Sequence, residues 1–551
     1  MDILFFSLLT NLLYYCSGRI FISENNSNFY NQFYTYFLGF IVISFSALFL
    51  NFFTKLSPLI NSLIYLGILV LFIIKSKFKI KKNDFLFLFL STLATFSLII
   101  FSNVNRPDAG LYHLPYVSIL NESKIIFGIN NIHFRFGHTS ILQYTSAINN
   151  NYLFKENGIS IPLGSIVSFF YIYFLQDIFK VIRKKDTINV SNIFSLFILI
   201  YISYKITRYS SFGNDAVPHL TLFYLISYIL KNNFESINFN KVFLISVFIF
   251  INKTTLGLVF IIPGVIFFLK KKLLSKDLIK LFYSFPSIFL FFWLIKNLVI
   301  SGCLIFPAKI SCVESFSWTN KELIINAYKE SQAWSKGWPD RKNKNITMSR
   351  FNKNFNWIHA WSNKHLKYIL KIIVPYFIIL AIITFYMRKF LYVSHKKSKE
   401  LDKRIYLSII ASSIGVLSFF LIFPIYRYGY SFIITLITLI FILFLKNITF
   451  SKKVGLFSFI FFMSILLFSL KQIQKVYNNY ENNRWPNIYT LNEEGVINKY
   501  KSLKINNKFK YFQPDSGDGL CMYSKAPCTN YAINKEIKFE NFYGYSLLKI
   551  N

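Results

Sequence analysis

Residues 103–154 read NVNRPDAGLYHLPYVSILNESKIIFGINNIHFRFGHTSILQYTSAINNNYLF, and this stretch decides how the fold is interpreted. It separates two apolar runs, yet it contains acidic, basic and histidine side chains. Asp108 lies just beyond an apolar span, and Tyr112 and His113 follow one helical turn later, so a carboxylate, a phenol and an imidazole share one pocket mouth. We therefore expect Asp108, Tyr112 and His113 to be the catalytic residues; the alternative for Asp108 is a helix N-cap.

The composition predicts a membrane protein. Of the 551 residues, 54% are hydrophobic and only 15% are charged, which is typical of a chain embedded in a lipid bilayer. A formal charge of +37 would also suit binding to nucleic acid. The lysines, however, form short runs between apolar segments, which is the bias of cytoplasmic loops, so we expect a bilayer and no nucleic acid as partner.

The apolar runs predict an all-α polytopic protein with about fourteen transmembrane helices, since each run can cross about 30 Å of hydrocarbon. The predicted spans are 2–17, 33–54, 57–75, 84–102, 159–180, 190–206, 217–231, 241–253, 256–269, 281–300, 366–387, 405–424, 430–446 and 452–470. The shorter pair 241–253 and 256–269 is required if all the basic runs are to lie on the cytoplasmic side.

These spans divide the chain into membrane and extracytoplasmic parts. We expect spans at 1–102, 156–300 and 366–470, long outer loops at 103–155 and 301–365, and a small α+β extracytoplasmic domain at 471–551. Helical apolar spacing in the first loop predicts amphipathic helices at the membrane interface. The spacing is carried by Tyr116, Ile119 and Leu120, and then by Ile141, Leu142 and Tyr144. This arrangement is that of a multi-pass protein of a bacterial inner membrane.

Two closely spaced cysteine pairs fall in outer segments on this topology. They are Cys303 with Cys312 and Cys521 with Cys528. Disulfides form and persist outside the cytoplasm, and no histidine stands at zinc spacing beside either pair. We therefore expect two disulfides, and a buried inert thiol at Cys16.

Three local patterns extend the functional interpretation. The first is Asp108 itself; the second is LIKNLVISGCLIFP at 294–307, and the third is FPIYRYGYSF at 423–432. With the many spans and the external C-terminal region, they resemble the GT-C superfamily of polyprenyl-phosphate-sugar-dependent glycosyltransferases. The resemblance is closest to a bacterial branch of large multi-pass proteins, and it covers most of the chain after about residue 85. Lys296 stands where the second pattern usually has arginine, and Arg427-Tyr428 matches the third.

The resemblance implies an inverting transfer of sugar from a polyprenyl-phosphate donor to a surface glycan or lipid acceptor. Asp108 would be the base, with a pKa raised by burial, and His113 its partner or alternative. Cationic side chains would stabilise the departing phosphate. The candidates are Arg135, Arg208, Lys253, Lys296 and Arg427.

Two further residues and four tryptophans complete the expected site. His138 would bind the acceptor or have a structural role, and Asp215 would supply a second carboxylate. No cofactor is assigned; Asp108 and Asp215 would be the ligands of any divalent cation. Tryptophans recurring at i,i+4 spacing would stack on sugar rings or anchor the protein at the interface. They are Trp334, Trp338, Trp357 and Trp361.

Alternative functions remain open at this stage. They are an O-antigen-type polymerase or ligase, a polytopic transporter or flippase, and a membrane protein without catalysis. The enzyme hypothesis requires residues from distant parts of the sequence to share one pocket. Those residues are Asp108, His113, Arg208 and Arg427.

Overall fold

The computed structural model describes residues 2–22, 29–76, 82–100, 108–184, 188–205, 213–269, 283–340, 342–390, 399–445, 454–481, 500–515, 519–531, 533 and 536–550. Over this part of the chain most residues are helical, and the strands are confined to the C-terminal region. An all-α membrane domain is what continuous apolar runs require, because a helix satisfies its own backbone hydrogen bonds in lipid.

The helices follow the apolar runs of the sequence. Before the first loop they are α1 (Asp2–Phe21), α2 (Phe29–Asn51), α3 (Pro58–Ser76) and α4 (Lys82–Ile100). The loop contains α5 (Leu114–Glu122) and α6 (Ile141–Ile148), and the central helices are α7 (Ile161–Lys184), α8 (Val190–Lys205), α9 (Ala216–Lys231), α10 (Phe239–Asn252), α11 (Ile261–Leu269) and α12 (Phe285–Ser301). The remaining helices are α13 (Lys321–Ser335), α14 (Met348–Phe351), α15 (Ile358–Trp361), α16 (Lys367–Phe390), α17 (Lys399–Ile422), α18 (Tyr426–Leu445) and α19 (Val454–Glu481).

Eight helical segments in the described ranges are long and apolar enough to cross a membrane. Six further apolar helices are shorter, at Val190–Lys205, Ala216–Lys231, Phe239–Asn252, Thr254–Leu269, Phe285–Ser301 and Phe457–Lys471. Every predicted span therefore has a helix. Eight of these helices have the length and composition that crossing a membrane requires, and six are shorter. Large apolar side chains such as Ile74, Phe268 and Phe385 are exposed on the outer helices. Such surfaces are rare on soluble monomers and suit contact with lipid.

The first loop forms helices where their apolar spacing predicts them, but these helices are not surface elements. All residues of α6 and all residues of α5 except Glu122 are buried. Polar residues of both helices are buried too, and Asn121 donates hydrogen bonds to the backbone oxygens of Leu56 and Ala147 at 2.7 and 2.9 Å. The loop is thus packed into the protein core rather than laid along its surface.

Helices α1 and α2 cross in close contact because each has glycine at the crossing. A Cβ on Gly18 would lie 1.9 Å from the backbone oxygen of Thr35, and one on Gly39 would lie 1.7 Å from that of Tyr14. Small residues of this kind let helix backbones approach closely in membranes. The crossing fixes the N-terminal helices against α7, where Tyr14 meets the Phe169 ring edge-on at 6.0 Å.

The C-terminal region consists of two antiparallel hairpins. β1 (Tyr500–Ile505) pairs with β2 (Phe509–Pro514), and β3 (Ile537–Phe542) pairs with β4 (Tyr545–Ile550). Tyr543 and Gly544 have φ of 48° and 78°, as a two-residue type I′ turn requires. The helical part of the predicted α+β domain is the last section of α19, which continues to Glu481.

Both predicted disulfides are formed. The sulfur atoms of Cys303 and Cys312 are 2.06 Å apart, and those of Cys521 and Cys528 are 2.00 Å apart. Cys16 is buried and unbonded, as expected. The second disulfide closes a loop that packs on the first loop: the Met522 N–H donates to the Gly110 oxygen at 2.9 Å.

The described connections place Lys231 at the opposite end of the helices from Asp215, Lys253 and Arg427. α9 begins after Asp215 and ends at Lys231, and α10 returns to end before Lys253. α18 begins with Arg427 in its first turn and runs towards the lysine-containing segment 446–453 of the sequence. The residues expected to carry chemistry therefore share one end of the helix bundle.

Candidate functional site

A cavity of about 710 Å³ lies at this end of the bundle. Its walls come from the first loop, from α8 to α10, from α12 and α13, and from the start of α18. Eight of the predicted catalytic and binding residues line it: Asp108, Tyr112, His113, Arg135, His138, Asp215, Lys253 and Arg427. Lys296 lies behind two lining residues, and Arg208 lies outside the described residues.

Asp108 stands at the start of a π-helical turn, Ala109–His113, that leads into α5. Its side chain makes no capping hydrogen bond to this turn. Instead, Arg135 Nη1 donates to Oδ1 at 3.3 Å and Arg427 Nη1 donates to Oδ2 at 2.9 Å. The carboxylate thus bridges two guanidiniums that are 292 residues apart in sequence (427 minus 135). The geometry favours a site residue over a helix cap.

The two arginines reverse the expected pKa shift of Asp108. Burial raises the pKa, as the sequence predicted, but the Arg427 and Arg135 guanidiniums outweigh it and hold the pKa below its ordinary value. The expectation of a raised pKa was therefore wrong for the protein as it stands. Asp108 is ionised at neutral pH, so it can accept a proton, although it is a weaker base than expected.

Arg427 is held through its backbone as well as its side chain. Its carbonyl oxygen accepts from Lys253 Nζ at 3.1 Å and lies 3.0 Å from His219 Nε2. His219 Nδ1 in turn lies 2.6 Å from Ser431 Oγ, in the second turn of α18. These contacts fix the start of α18, so the guanidinium meets Asp108 from a rigid element.

Lys253 and Asp215 form an ion pair beside this carboxylate. The ammonium donates to Asp215 Oδ1, and it also lies 4.3 Å from the centre of the Tyr428 ring. Burial would raise the pKa of Asp215, but Lys253 and Arg427 hold it well below its usual range. The two residues were predicted separately, as a phosphate ligand and as a second carboxylate, and the fold makes them partners.

His113 is positioned by a neighbouring amide. The Ser140 N–H donates to Gln143 Oε1 at 2.7 Å, so the Gln143 amide nitrogen faces His113 Nδ1 at 3.3 Å. That contact makes Nδ1 the acceptor and leaves the proton on Nε2 in the neutral ring. Burial lowers the pKa of His113 to about 4, so the ring is neutral at physiological pH. His113 is better placed to orient its neighbours than to replace Asp108 as base.

Arg135 lies between aromatic rings. Its guanidinium carbon is 5.4 Å from the centre of the Tyr112 ring and 5.5 Å from that of Phe134. Such contacts keep the planar group oriented while its charge remains available. His138 lines the same wall and packs against Phe306 with 5.0 Å between ring centres. Burial lowers the pKa of His138 to about 4, so this side chain is also neutral.

Only one of the four tryptophans expected to stack on sugars lines the cavity. Trp334 is half exposed on its wall, whereas Trp338 packs against Phe351. Trp357 and Trp361 are buried, and Trp361 Nε1 donates to the Pro424 oxygen at 2.6 Å. The i,i+4 spacing of these tryptophans therefore reflects packing inside the protein for three of the four.

The cavity also contains functional candidates that were not predicted. They are Lys205, Glu330 and Lys364. Lys205 lies at the end of one apolar run and Lys364 lies just before another. A lysine at such a position usually extends its ammonium group from the membrane into water. Proximity to the end of α8 was the one available signal for Lys205. Its ammonium lies 4.8 Å from the centre of the Tyr368 ring.

The cavity is positively charged overall. Among the described residues its lining has five cationic side chains, Arg135, Lys205, Lys253, Lys364 and Arg427, against three acidic ones, Asp108, Asp215 and Glu330. In the described ranges no group of three His, Cys, Asp or Glu side chains is arranged to hold a metal ion. Because Asp108 and Asp215 are both paired with cations, either would have to exchange its partner to bind a divalent metal.

Comparisons with known proteins give a family but no activity. A family model described as a domain of unknown function, DUF8201, matches residues 1–434. Neither a curated protein nor a solved structure matches the chain. The family match includes every residue that lines the cavity and ends before the C-terminal hairpins.

Proposed function

This chain belongs to the DUF8201 family, and we propose that it is a membrane glycosyltransferase of GT-C type. In this proposal it transfers a sugar from a polyprenyl-phosphate donor to an extracytoplasmic glycan or lipid acceptor, with inversion. One observation carries the proposal: Asp108 bridges Arg135 and Arg427 inside a cationic cavity that residues from across the sequence build together.

The cation cluster suits a phosphate. Guanidiniums bind phosphate oxygens in pairs, and Arg135, Arg427 and Lys253 already lie around one point of the cavity. An arriving phosphate competes with Asp108 for the two arginines. As the arginines turn to the phosphate, Asp108 loses the cations that lower its pKa and gains a neighbouring anion. Donor binding thus raises the basicity of Asp108 at the moment when a base is needed.

The bond changes follow from this arrangement. The acceptor hydroxyl gives its proton to Asp108 while its oxygen attacks the anomeric carbon of the donor. The bond between that carbon and the phosphate oxygen breaks, and the phosphate leaves with the electron pair. Arg427, Arg135 and Lys253 stabilise the negative charge that develops on it. His113 and Tyr112 contact the same site and orient its groups.

The proposal includes a topology. We place the cavity, both disulfides and the C-terminal hairpins on the extracytoplasmic face of a bacterial inner membrane, and we take all fourteen predicted spans as crossings. The alternation of basic ends and cavity ends along the described helices supports this placement. The six shorter apolar helices are long enough for such crossings only where the bundle locally thins the bilayer.

The direct test is an Asp108→Asn variant expressed in place of the natural chain. We expect the cell-surface glycan band that depends on the chain to fall by at least about 100-fold, the usual contribution of a catalytic base. Glu314→Gln is the matched control, because Glu314 is an exposed acid that pairs with Lys321 outside the cavity. A normal band from an equally abundant Asp108→Asn protein would refute the proposal.

A further inference from the structure

One wall of the cavity has polar groups whose hydrogen bonds are not made. Trp293 and Asn297 lie one turn apart on α12, and both line the cavity. They are 1% and 3% exposed, yet Trp293 Nε1 and Asn297 Oδ1 have no hydrogen-bond partner among the described residues. The Asn297 amide nitrogen donates to the Leu304 oxygen at 2.9 Å, which fixes its oxygen as the acceptor.

Lys296 adds a buried amino group without an acidic partner to this wall. It is 0% exposed, its ammonium donates to Thr139 Oγ1 at 2.6 Å, and it lies 3.3 Å from the centre of the Trp293 ring. Thr139 and Trp293 both line the cavity, so the ammonium is one side chain behind its surface. No carboxylate of the described chain pairs with it, whereas Lys253 and Lys231 each have an acidic partner.

A buried amino group without a counter-charge, and a buried donor and acceptor without partners, each cost free energy. A ligand that supplies the missing groups would recover it. The wall offers the Trp293 N–H as a donor for an oxyanion and Asn297 Oδ1 as an acceptor for an adjacent hydroxyl, and the Lys296 amino group lies one side chain behind the surface. An anion bound here favours the protonated form of Lys296, and that single positive charge matches a monoanion rather than a phosphate dianion, for which the arginines are better suited.

We propose that Trp293, Lys296 and Asn297, with Thr139, form a subsite for a carboxylate that carries a hydroxyl beside it. Such a group belongs to uronic acids, so the transferred or accepting sugar is acidic. Only the identification of the ligand as a sugar rests on the proposed glycosyltransferase; the subsite itself rests on the unpartnered groups. The subsite is separate from Asp108 and its arginines, which handle the phosphate and the proton.

The test measures binding of glucuronate, glucose and acetate to the full-length protein in lipid nanodiscs by isothermal titration calorimetry. We expect glucuronate to bind at least tenfold tighter than glucose, the neutral sugar, and than acetate, the free carboxylate. In Lys296→Met this preference disappears, because the affinity for glucuronate falls while the affinity for glucose does not change. Lys321→Met, an exposed lysine outside the cavity, keeps the preference.

Thermal unfolding separates ligand recognition from a structural role. Since Lys296→Met removes a buried amino group without a counter-charge, the empty variant melts at or above the wild-type temperature; a lysine that only holds α12 to Thr139 would make it melt lower. Trp293→Phe keeps an aromatic side chain and removes the N–H, and it loses several-fold in glucuronate affinity. Equal binding of glucuronate and glucose by the wild-type protein overturns the subsite. The subsite is also overturned if Trp293→Phe keeps the preference for glucuronate and Lys296→Met either keeps that preference or does not fold. Asp108→Asn keeps the preference for glucuronate. The binding result therefore does not depend on the outcome of the glycan test of the proposed function.

Discussion

Asp108 shows how a single residue obtains its properties from partners that are distant in sequence. Burial alone would raise the pKa of its carboxyl group, and Arg427 and Arg135 reverse that effect. A carboxyl group with a lowered pKa carries its charge above that pKa and loses it as the pH falls through it. Its contribution to folding and to kcat/KM, which reports the protein without bound donor, is therefore lost only in acid, below the ordinary aspartate pKa of about 3.9.

Arg427→Gln should move the acid limb of the pH–rate profile. Removing this guanidinium raises the pKa of Asp108, so the acid limb of kcat/KM shifts to higher pH, and the rate at neutral pH falls because the phosphate loses a ligand. Lys205→Gln, which changes a cavity cation not bonded to Asp108, leaves the limb in place. If the acid limb does not move in a His113→Asn variant either, that limb belongs to Asp108 and not to His113. An Arg427→Gln profile with the wild-type limb would contradict the pairing.

Sequence patterns pointed to many residues that line the cavity but not to the contacts between them. Asp108 and Arg427 follow from the local patterns in which they occur, and eight predicted residues line one cavity. No local pattern could show that Arg135 bonds to Asp108 or that Lys253 pairs with Asp215, because these contacts depend on how the helices pack. Lys205 and Lys364 were missed since a lysine beside an apolar run usually only reaches for water.

At the scale of elements, the π-helical turn Ala109–His113 is held in place by the C-terminal disulfide loop. The Met522 N–H donates to the Gly110 oxygen, and Ser118 Oγ donates to the Ser524 oxygen in the same loop. A Cβ on Gly110 would lie 2.4 Å from Met522 Sδ and 3.0 Å from Leu520 Cβ. The C-terminal region therefore positions the turn that carries Tyr112 and His113 and starts at Asp108.

Gly110→Val should reduce transfer at least tenfold without loss of the folded protein. The added side chain displaces either the turn or the disulfide loop, and both displacements move Asp108 relative to its arginines. Transfer is measured beside Gly67→Val, a control at which a Cβ meets nothing within 4 Å. Adding Met522→Ala to the smaller Gly110→Ala variant should restore part of its activity. Wild-type transfer by Gly110→Val would show that the loop does not position the site.

Helix positions were readable from the sequence, but burial and span length were not. Every apolar run became a helix, yet α9 and α10 are shorter than the membrane-spanning class, because Asp215 and Lys253 end them at the cavity. The first-loop helices have the spacing of interfacial helices and are instead buried. Their polar faces bond to neighbouring backbone, and an amphipathic pattern does not reveal which surface will cover it.

The whole molecule has two chemically different ends. The helices α9 and α10 run between the cavity, at Asp215 and Lys253, and an opposite end at Lys231. Lysine-rich ends face the cytoplasm in membrane proteins. The cavity would then open to the outside, where polyprenyl-linked sugars and glycan acceptors meet.

Cysteine labelling tests this orientation. In a Cys16→Ser background, Asn326→Cys on the exposed face of α13 should react with a membrane-impermeant maleimide in intact cells. Ser236→Cys, in the exposed connection between α9 and α10, should react only after permeabilisation. Reaction of Ser236→Cys in intact cells, with Asn326→Cys protected, would invert the topology and place the cavity in the cytoplasm.

The central claim is that this cavity breaks a sugar–phosphate bond with Asp108 as base. The most direct measurement follows release of polyprenyl phosphate by the full-length protein in nanodiscs, supplied with polyprenyl-phosphate sugars extracted from cells that make the dependent glycan. The account predicts release by the wild-type protein when acceptor is present, and at least about 100-fold slower release by Asp108→Asn, which still binds the donor. Absence of release by the wild-type protein, or equal release by Asp108→Asn, would contradict it.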